Sequence, residues 1–319
     1  MTAIPVPFPL GLIETARQRV TGIAIRTPLV RLPIDGTNIW LKLENLQPIG
    51  SFKLRGAASA MAARSSAELA NGVVTASAGN MAQGVAWCAR HLGIPCRVIV
   101  PDHAPAAKTD AVERLGGIII RRPFAEWWDI LMTHDTKGVP GAFIHPVADP
   151  DVIAGNGTIG LEILEDLPDV STIVVPFGGG GLSCGIASAA KARSPRVRVL
   201  AAEVETAAPL KATLAAGHPT TVEYTPSFVD GIGGRTVLDV MWPLIQRVID
   251  GSLVSSLAAV REAVRVLATR SHVVSEGAGA ASVAAALAGG AGDGNVVCVV
   301  SGGNIDAARL AEILAANAT

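Results

Sequence analysis

One lysine, Lys53, stands between a Gly50-Ser51 turn and the Ala-rich run that begins Leu54-Arg55-Gly56-Ala57. If that run is helical, Lys53 lies at its N-terminus, where the macrodipole disfavours an ammonium. The neutral amine that results is the form that attacks a carbonyl to make a Schiff base. Most lysines are solvated surface charges, so this position alone supports either reading. Three further stretches carry related chemistry. Val175-Pro176-Phe177 runs into Gly178, Gly179, Gly180, Gly181 and Leu182. Glycines here let the backbone approach an anion, and the Ala-rich helix that follows offers unpaired N–H groups. A flexible linker, the other reading of four glycines, has no purpose directly between a strand and a helix. No G-x-G-x-x-G fits the register, because Ser183 or Cys184 falls at the third glycine, and no Gly-Lys-Ser/Thr follows. The stretch reads as a cradle for a phosphate that belongs to neither NAD nor ATP. Thr75-Ala76-Ser77-Ala78-Gly79-Asn80 also joins a strand to a helix; its hydroxyl, amide and N–H groups could bind a carboxylate or simply cap the helix. Val299-Val300-Ser301-Gly302-Gly303-Asn304 places a hydroxyl, Ser301, at the end of the last strand, with an ordinary helix cap as the alternative.

The elements that must position these residues alternate between helix and short β-branched runs, which predicts α/β architecture with mainly parallel sheets. Strands are expected at 73–76, 97–100 and 117–121, with helices at 80–91 and 104–115 between them. A second series follows: helix 151–167, strand 171–176, helix 182–193 and strand 197–204. Helices 257–269 and 278–287, strand 295–300 and helix 305–316 complete it. Residues 223–235 show no period and carry three glycines, so an ordered loop is expected there.

Half of the 319 residues are hydrophobic and 17% are charged, enough for a sizeable core. The net charge of −1 gives no electrostatic case for nucleic acid or an acidic membrane surface. Apolar runs are broken well short of a membrane span, and Met1-Thr2-Ala3-Ile4-Pro5 opens no signal peptide. Cys88, Cys96, Cys184 and Cys298 lack the close spacing of a zinc site and read as buried apolar residues in a reducing compartment. A cytoplasmic enzyme is expected.

Taken together, the motifs resemble the fold-type II pyridoxal 5′-phosphate (PLP) enzymes, and within them the threonine/serine dehydratase and serine racemase group. The resemblance spans Thr27 to Asp306. It rests on 42–47 with 51–57, 77–84, 154–162 (Ala-Gly-Asn-Gly-Thr-Ile-Gly-Leu-Glu), 178–182, 276–280 (Glu-Gly-Ala-Gly-Ala) and 301–304, in this order. It implies two open, mainly parallel twisted sheets of the tryptophan synthase β type. The large PLP-binding domain would comprise 1–53 and 149–319, and 54–148 would form a small domain carrying the substrate-carboxylate loop. By this resemblance Lys53 would hold PLP through a Schiff base and serve as catalytic base, with Phe52 beside the ring. Gly178, Gly179, Gly180, Gly181 and Leu182 would bind the phosphate. Asn80 would bond the ring 3′-hydroxyl, and Ser301 would face the pyridine nitrogen. Ser77, Ala78, Gly79 and Asn80 would hold the substrate carboxylate. A neutral serine at the ring nitrogen suits elimination better than a long-lived carbanion. The implied activity is loss of water from an L-threonine- or L-serine-type substrate, giving a 2-oxo acid and ammonia. A homodimer or homotetramer acting on a small amino acid is expected.

The chain departs from the family at several positions. Met81 stands where histidine is usual, Ile49 where threonine is, and Asn156 where glutamine is, which leaves the substrate side chain open. Many relatives bind a divalent cation near Glu203; here Pro209 replaces a second acidic ligand, so Glu203 is a lone candidate and no metal is assigned. The chain ends at Thr319, so feedback through a C-terminal regulatory domain is not expected. Serine racemisation is the nearest rival, opposed by Ala78 at the position of the family's second, serine acid–base group. Dehydration of β-hydroxyaspartate or phenylserine, and PLP binding without catalysis, are the other readings.

Overall fold

β-Branched and apolar runs of two to seven residues alternate with Ala-rich helical segments, and the structure pairs the former into two sheets. It is a computed structural model that describes residues 3–316. Met1, Thr2 and Thr319, on which the signal-peptide and chain-end expectations partly rest, lie outside the described residues. The chain opens with α1 (Leu10–Val20), β1 (Leu29–Arg31), β2 (Ile39–Lys42), a 3-10 turn (Glu44–Leu46) and α2 (Lys53–Ala62). There follow β3 (Val73–Ala76), α3 (Asn80–Leu92), β4 (Cys96–Pro101), α4 (Ala106–Arg114), β5 (Gly117–Arg122), α5 (Phe124–Thr133) and β6 (Ala142–Phe143). The chain continues with α6 (Pro150–Asp166), β7 (Val170–Pro176), α7 (Gly181–Arg193), β8 (Arg198–Val204), α8 (Pro209–Ala216), α9 (Trp242–Val248) and β9 (Gly251–Ser255). It closes with α10 (Leu257–Arg270), α11 (Gly277–Leu287), β10 (Asn295–Val299) and α12 (Ala307–Ala315).

The larger sheet has the order β1-β2-β10-β7-β8-β9 and the smaller one β5-β4-β3-β6. Every pairing is parallel except the edge pair β1–β2. Parallel sheets need apolar cover on both faces. The strands supply it by alternation: Ile173, Val175, Val297 and Val299 enter one core with α1, α6, α7 and α9, while Val174, Val296 and Cys298 enter the opposite core with α10 and α11. The expected elements are all present, with ends shifted by two residues or fewer, and 223–235 contains neither helix nor strand. The segments with no clear sequence signal are β1, β2, β6 and β9 and helices α1, α5, α8 and α9. Most are too short for a period to declare itself. We propose that 54–148 and the remainder form two domains. Membership of the two sheets supports this division, although the apolar cluster beneath the smaller sheet also takes in Ile49 and Val152.

Helix α2 is fixed by a buried network of charges. Arg55 is 1% exposed and Lys42 and Glu44 are fully buried. The Arg55 guanidinium donates to both Glu44 oxygens (2.8 and 2.9 Å), both Glu162 oxygens (2.7 and 2.9 Å), Thr158 Oγ1 and the Ile25 carbonyl. Lys42 Nζ donates to Glu162 Oε2 at 2.6 Å and to the Thr27 carbonyl at 2.7 Å. Two cations face two carboxylates, so no net charge is left in the interior. Burial alone would raise the Glu44 pKa, but the Arg55 charge and hydrogen bonds outweigh it and hold the carboxyl below its usual value. The network joins β2, the 3-10 turn, α2 and α6. Helices α2, α6 and α7 also meet at near-backbone contact: a Cβ on Gly155 would lie 2.4 Å from the Arg55 carbonyl, and one on Gly185 2.4 Å from that of Ile153.

Arg55→Ala leaves two buried carboxylates without their shared cation. It should destabilise the fold by about 3–5 kcal/mol, read by denaturant unfolding. Arg55→Lys should recover only part of that loss, because one ammonium cannot reproduce the fork to two carboxylates. Since Glu44 is held below its unfolded value, its stabilisation is complete above the usual carboxylate pKa and is lost as pH falls through the folded one.

Candidate active site

Each sheet has one place where the direction of winding reverses. In the larger sheet β8 and β9 lie to one side of β7 and β10 to the other; in the smaller, β4 and β5 lie to one side of β3 and β6 to the other. Open α/β sheets bind ligands beyond the carboxyl ends of the strands at such points. Gly178–Leu182 follow β7, Ser301 follows β10, Ser77–Met81 follow β3, and His145–Ala148 follow β6. All but the last of these segments were singled out in the sequence. They meet around one cavity of about 510 Å³, lined by Phe52, Lys53, Ser77–Met81, Val147, Gly178–Leu182, Glu276 and Ser301.

Lys53 is the first residue of α2. Its turn is stitched to the end of β10: Phe52 N–H donates to the Ser301 carbonyl (3.0 Å), Gly303 N–H to that of Gly50 (2.9 Å), and Asn304 Nδ2 to that of Ile49 (2.9 Å). Lysine and serine are thereby held in one frame although 248 positions separate them. The Lys53 ammonium donates to the Pro146 carbonyl at 2.8 Å and lies 5.2 Å from the Phe52 ring centre. Burial pushes its pKa down to about 8. The direction matches the sequence reading, but burial is the cause; the helix dipole was the cause anticipated.

The Pro146 carbonyl is presented by a residue that the sequence reading passed over. His145 is 3% exposed, and its Nδ1 accepts the N–H groups of Val147 (3.0 Å) and Ala148 (2.7 Å). Burial, and then the nearby His134 and Lys53, push its pKa down to about 3. It is a neutral hinge pin for the 145–148 turn. Its only sequence signal was the His-Pro pair ahead of a helix.

α3 and α7 open onto the cavity, and like several other helices they begin without a side-chain cap. α6, α10 and α12 are capped by the side chains of Asp149, Ser256 and Asp306. α3 and α7 begin after glycines, Gly79 and Gly180, and no side chain bonds their first turns. Their leading N–H groups are free for an external anion. Gly180 has φ +93°, and Cβ atoms on Gly179 and Gly181 would lie 2.7 Å from Val147 Cγ1 and 2.8 Å from the Val147 carbonyl. Asn156 steadies this cradle from behind, donating from Nδ2 to the Gly181 carbonyl at 3.2 Å. A phosphate-bearing group fits such a cradle, with the Lys53 amine in the same cavity for an aldehyde.

Ser301 is buried, lines the cavity, and makes no side-chain hydrogen bond among the described residues. Ser77 Oγ is turned back to accept the Gly79 N–H at 3.3 Å. Asn80 is engaged more fully than anticipated: Nδ2 donates to Glu276 Oε1 (2.9 Å) and Oδ1 accepts from Asn304 Nδ2 (2.8 Å). Glu276 is therefore a site residue that entered the sequence reading only as part of a motif. Burial, and then the charge of Asp230, push its pKa up to about 7. Glu203 does not reach the cavity wall. Its carboxylate accepts the N–H groups of Leu210 and Lys211 at 2.8 Å each and the Ser252 hydroxyl at 2.5 Å, so it caps α8. Among the described residues no cluster of three His, Cys, Asp or Glu side chains could hold a metal ion. All four cysteines are buried and unpaired, and burial raises their thiol pKa values.

Residues 20–302 match the family described as pyridoxal-phosphate dependent enzyme. The chain is 40% identical over 309 residues to an L-threonine ammonia-lyase of Thermotoga maritima, covering 95% of this chain and 77% of that protein. Its fold matches maize serine racemase with a TM-score of 0.89 at 34% identity, covering 95% of each chain. It matches processed threonine deaminase isoform 2 of Solanum lycopersicum with a TM-score of 0.87 at 32% identity, covering 96% of this chain and 93% of that one.

Gly180→Val forces a β-branched residue into the left-handed region, which costs roughly 1–2 kcal/mol and distorts the cradle. Titration of the apo-protein with PLP should show affinity weakened about tenfold or more. Unchanged affinity would mean that the glycines serve the turn alone.

Proposed function

Belonging to the pyridoxal-phosphate dependent enzyme family, this chain is, we propose, a PLP-dependent ammonia-lyase that removes water from a β-hydroxy amino acid of the L-threonine or L-serine type and releases a 2-oxo acid and ammonia. The near full-length similarity to an L-threonine ammonia-lyase supports the reaction class. One observation carries the choice of elimination over racemisation: the loop after β3 offers Ala78, without a proton to exchange, and Ser77, whose hydroxyl is already bonded to Gly79. Racemisation needs an acid–base group on each face of the α-carbon, and elimination needs one.

When bound, the cofactor supplies an electron sink for negative charge at the substrate α-carbon. In our reading Lys53 would hold it, and the Lys53 amine would serve as general base for the substrate α-proton. Gly178 to Leu182 bind the phosphate through N–H groups at the start of α7. Ser77 to Asn80 bind the substrate carboxylate at the start of α3. Phe52 packs beside the ring. Asn80, oriented by Glu276 and Asn304, would bond the ring hydroxyl. Ser301 would face the ring nitrogen with a neutral hydroxyl, which would not hold a proton there as a carboxylate would. Among the described residues no helix is long and apolar enough to cross a membrane. The four buried unpaired cysteines support a reducing, cytoplasmic setting. We keep a homodimer or homotetramer as the assembly to test by light scattering.

Lys53→Ala should abolish 2-oxo acid formation and the borohydride-fixable cofactor linkage while the far-UV spectrum is unchanged; retention of both signals would remove the assignment. With the native protein, attachment of PLP to the apo-form should speed up about tenfold per pH unit up to about 8 and then level off, as the ammonium loses its proton.

Ala78→Ser should raise racemisation without removing elimination. A single positioned acid–base group is worth about 10²–10⁴-fold, so the unmutated enzyme should leave little D-isomer at partial conversion. Abundant D-serine from it, by chiral analysis, would overturn elimination as the main reaction.

A further inference from the structure

Aromatic residues are 4% of this sequence, yet Phe52, Phe124, Trp127 and its only tyrosine, Tyr224, all line the single cavity that holds Lys53. Phe52 sits beside the amine, and Phe124 and Trp127 form a second aromatic patch in the lining. There Phe124 and Trp127 project from α5 with ring centres 5.6 Å apart, and His103 lies 5.9 Å from Phe124. Phe124 is 52% exposed. An aromatic ring left half in water beside a pocket has given up burial that the fold could have used. Met81, fully buried, lines the same cavity with an adaptable apolar side chain.

The charges on the cavity wall narrow the choice of substrate side chain. Its lysines are Lys53, at the reacting centre, and Lys108, paired with Asp230 at 2.8 Å. The remaining acid, Glu276, is engaged by Asn80 and supplies no positive charge. A substrate with a β-carboxylate would therefore find no unpaired lysine for it away from the reacting centre. A methyl group, as in threonine, would leave the aromatic wall unfilled.

We propose that the preferred substrate is a β-hydroxy amino acid with an aromatic β-substituent, whose ring packs against Phe124, Trp127 and Met81. This rests on the ammonia-lyase reading and puts an aromatic side chain in place of the threonine or serine one. With phenylserine the Cα–H and Cβ–O bonds break, the hydroxyl leaves as water, and one water is taken up on release of the nitrogen. The balance is phenylserine to phenylpyruvate and ammonia, with no oxidant or reductant.

The test is 2-oxo acid formation by the PLP-loaded enzyme from L-threo-phenylserine, L-threonine and L-β-hydroxyaspartate. Filling an apolar pocket is worth about 10–200-fold, so kcat/KM for phenylserine should exceed that for threonine at least tenfold, with β-hydroxyaspartate below both. Phe124→Ala and Trp127→Ala should each lower the phenylserine-to-threonine ratio about tenfold. Phe124 is exposed enough that its loss should leave the fold intact, which a melting curve verifies. Threonine preferred to phenylserine, or a ratio unmoved in both variants, would overturn the proposal and leave the ammonia-lyase reading standing. No 2-oxo acid from any of the three would remove that reading itself.

Discussion

Arg55 makes the contact on which the rest of the structure depends. Two residues after Lys53, its guanidinium sits between Glu44 and Glu162 with almost no access to water. A charge so placed tolerates little displacement, because each lost hydrogen bond exposes an unpaired ion to a low-dielectric interior. The helix that begins with Lys53 is thereby locked to β2 and α6. The amine can then be desolvated, and its pKa lowered to about 8, without the helix drifting to rehydrate it. Polar specificity in the core positions the reactive group, while the apolar clusters on both sides of each sheet supply most of the burial.

The cavity is built where two parallel sheets each reverse their winding. Four strand ends converge there, and two bring helices whose first turns lack a side-chain cap. Omitting a cap leaves N–H groups unsatisfied in the free protein, a local loss that an anionic ligand reverses. The starts of α3 and α7 place free N–H groups on the wall of the cavity that holds the Lys53 amine. His145 and Asn156 support this arrangement from outside it, one shaping the turn that receives the Lys53 ammonium and the other bracing the glycine cradle.

Much of this was legible in the chain. Runs such as Val73–Ala76 and Val170–Pro176 declare strands because β-branched residues end at glycine or proline, and 80–92 or 181–193 declare helices by their alanine content. Lys53, the four glycines, Ser77–Asn80 and Ser301 were each visible as strand-to-helix junctions or turn residues with reactive or anion-binding groups. What stayed hidden has physical causes. Strands of two to five residues such as β6 and β9 exist because a neighbouring strand offers hydrogen bonds, and a local window does not see the neighbour. Glycines in the middle of α6 are unfavourable for an isolated helix; they make sense only beside α2 and α7, whose backbones come too close for a Cβ.

The sequence by itself determined the α/β class and singled out Lys53 and the strand-to-helix loops as candidate site residues, since these depend on residue type and immediate neighbours. Tertiary structure alone decided that burial lowers the lysine pKa, that Glu203 is occupied as a cap of α8, and that Glu276 and His145 belong to the site. It also brought the rings of α5 into the wall of the cavity that holds Lys53. Desolvation, hydrogen-bond engagement and convergence of distant strand ends are properties of what surrounds a residue in space, and one residue's type and local spacing do not encode them.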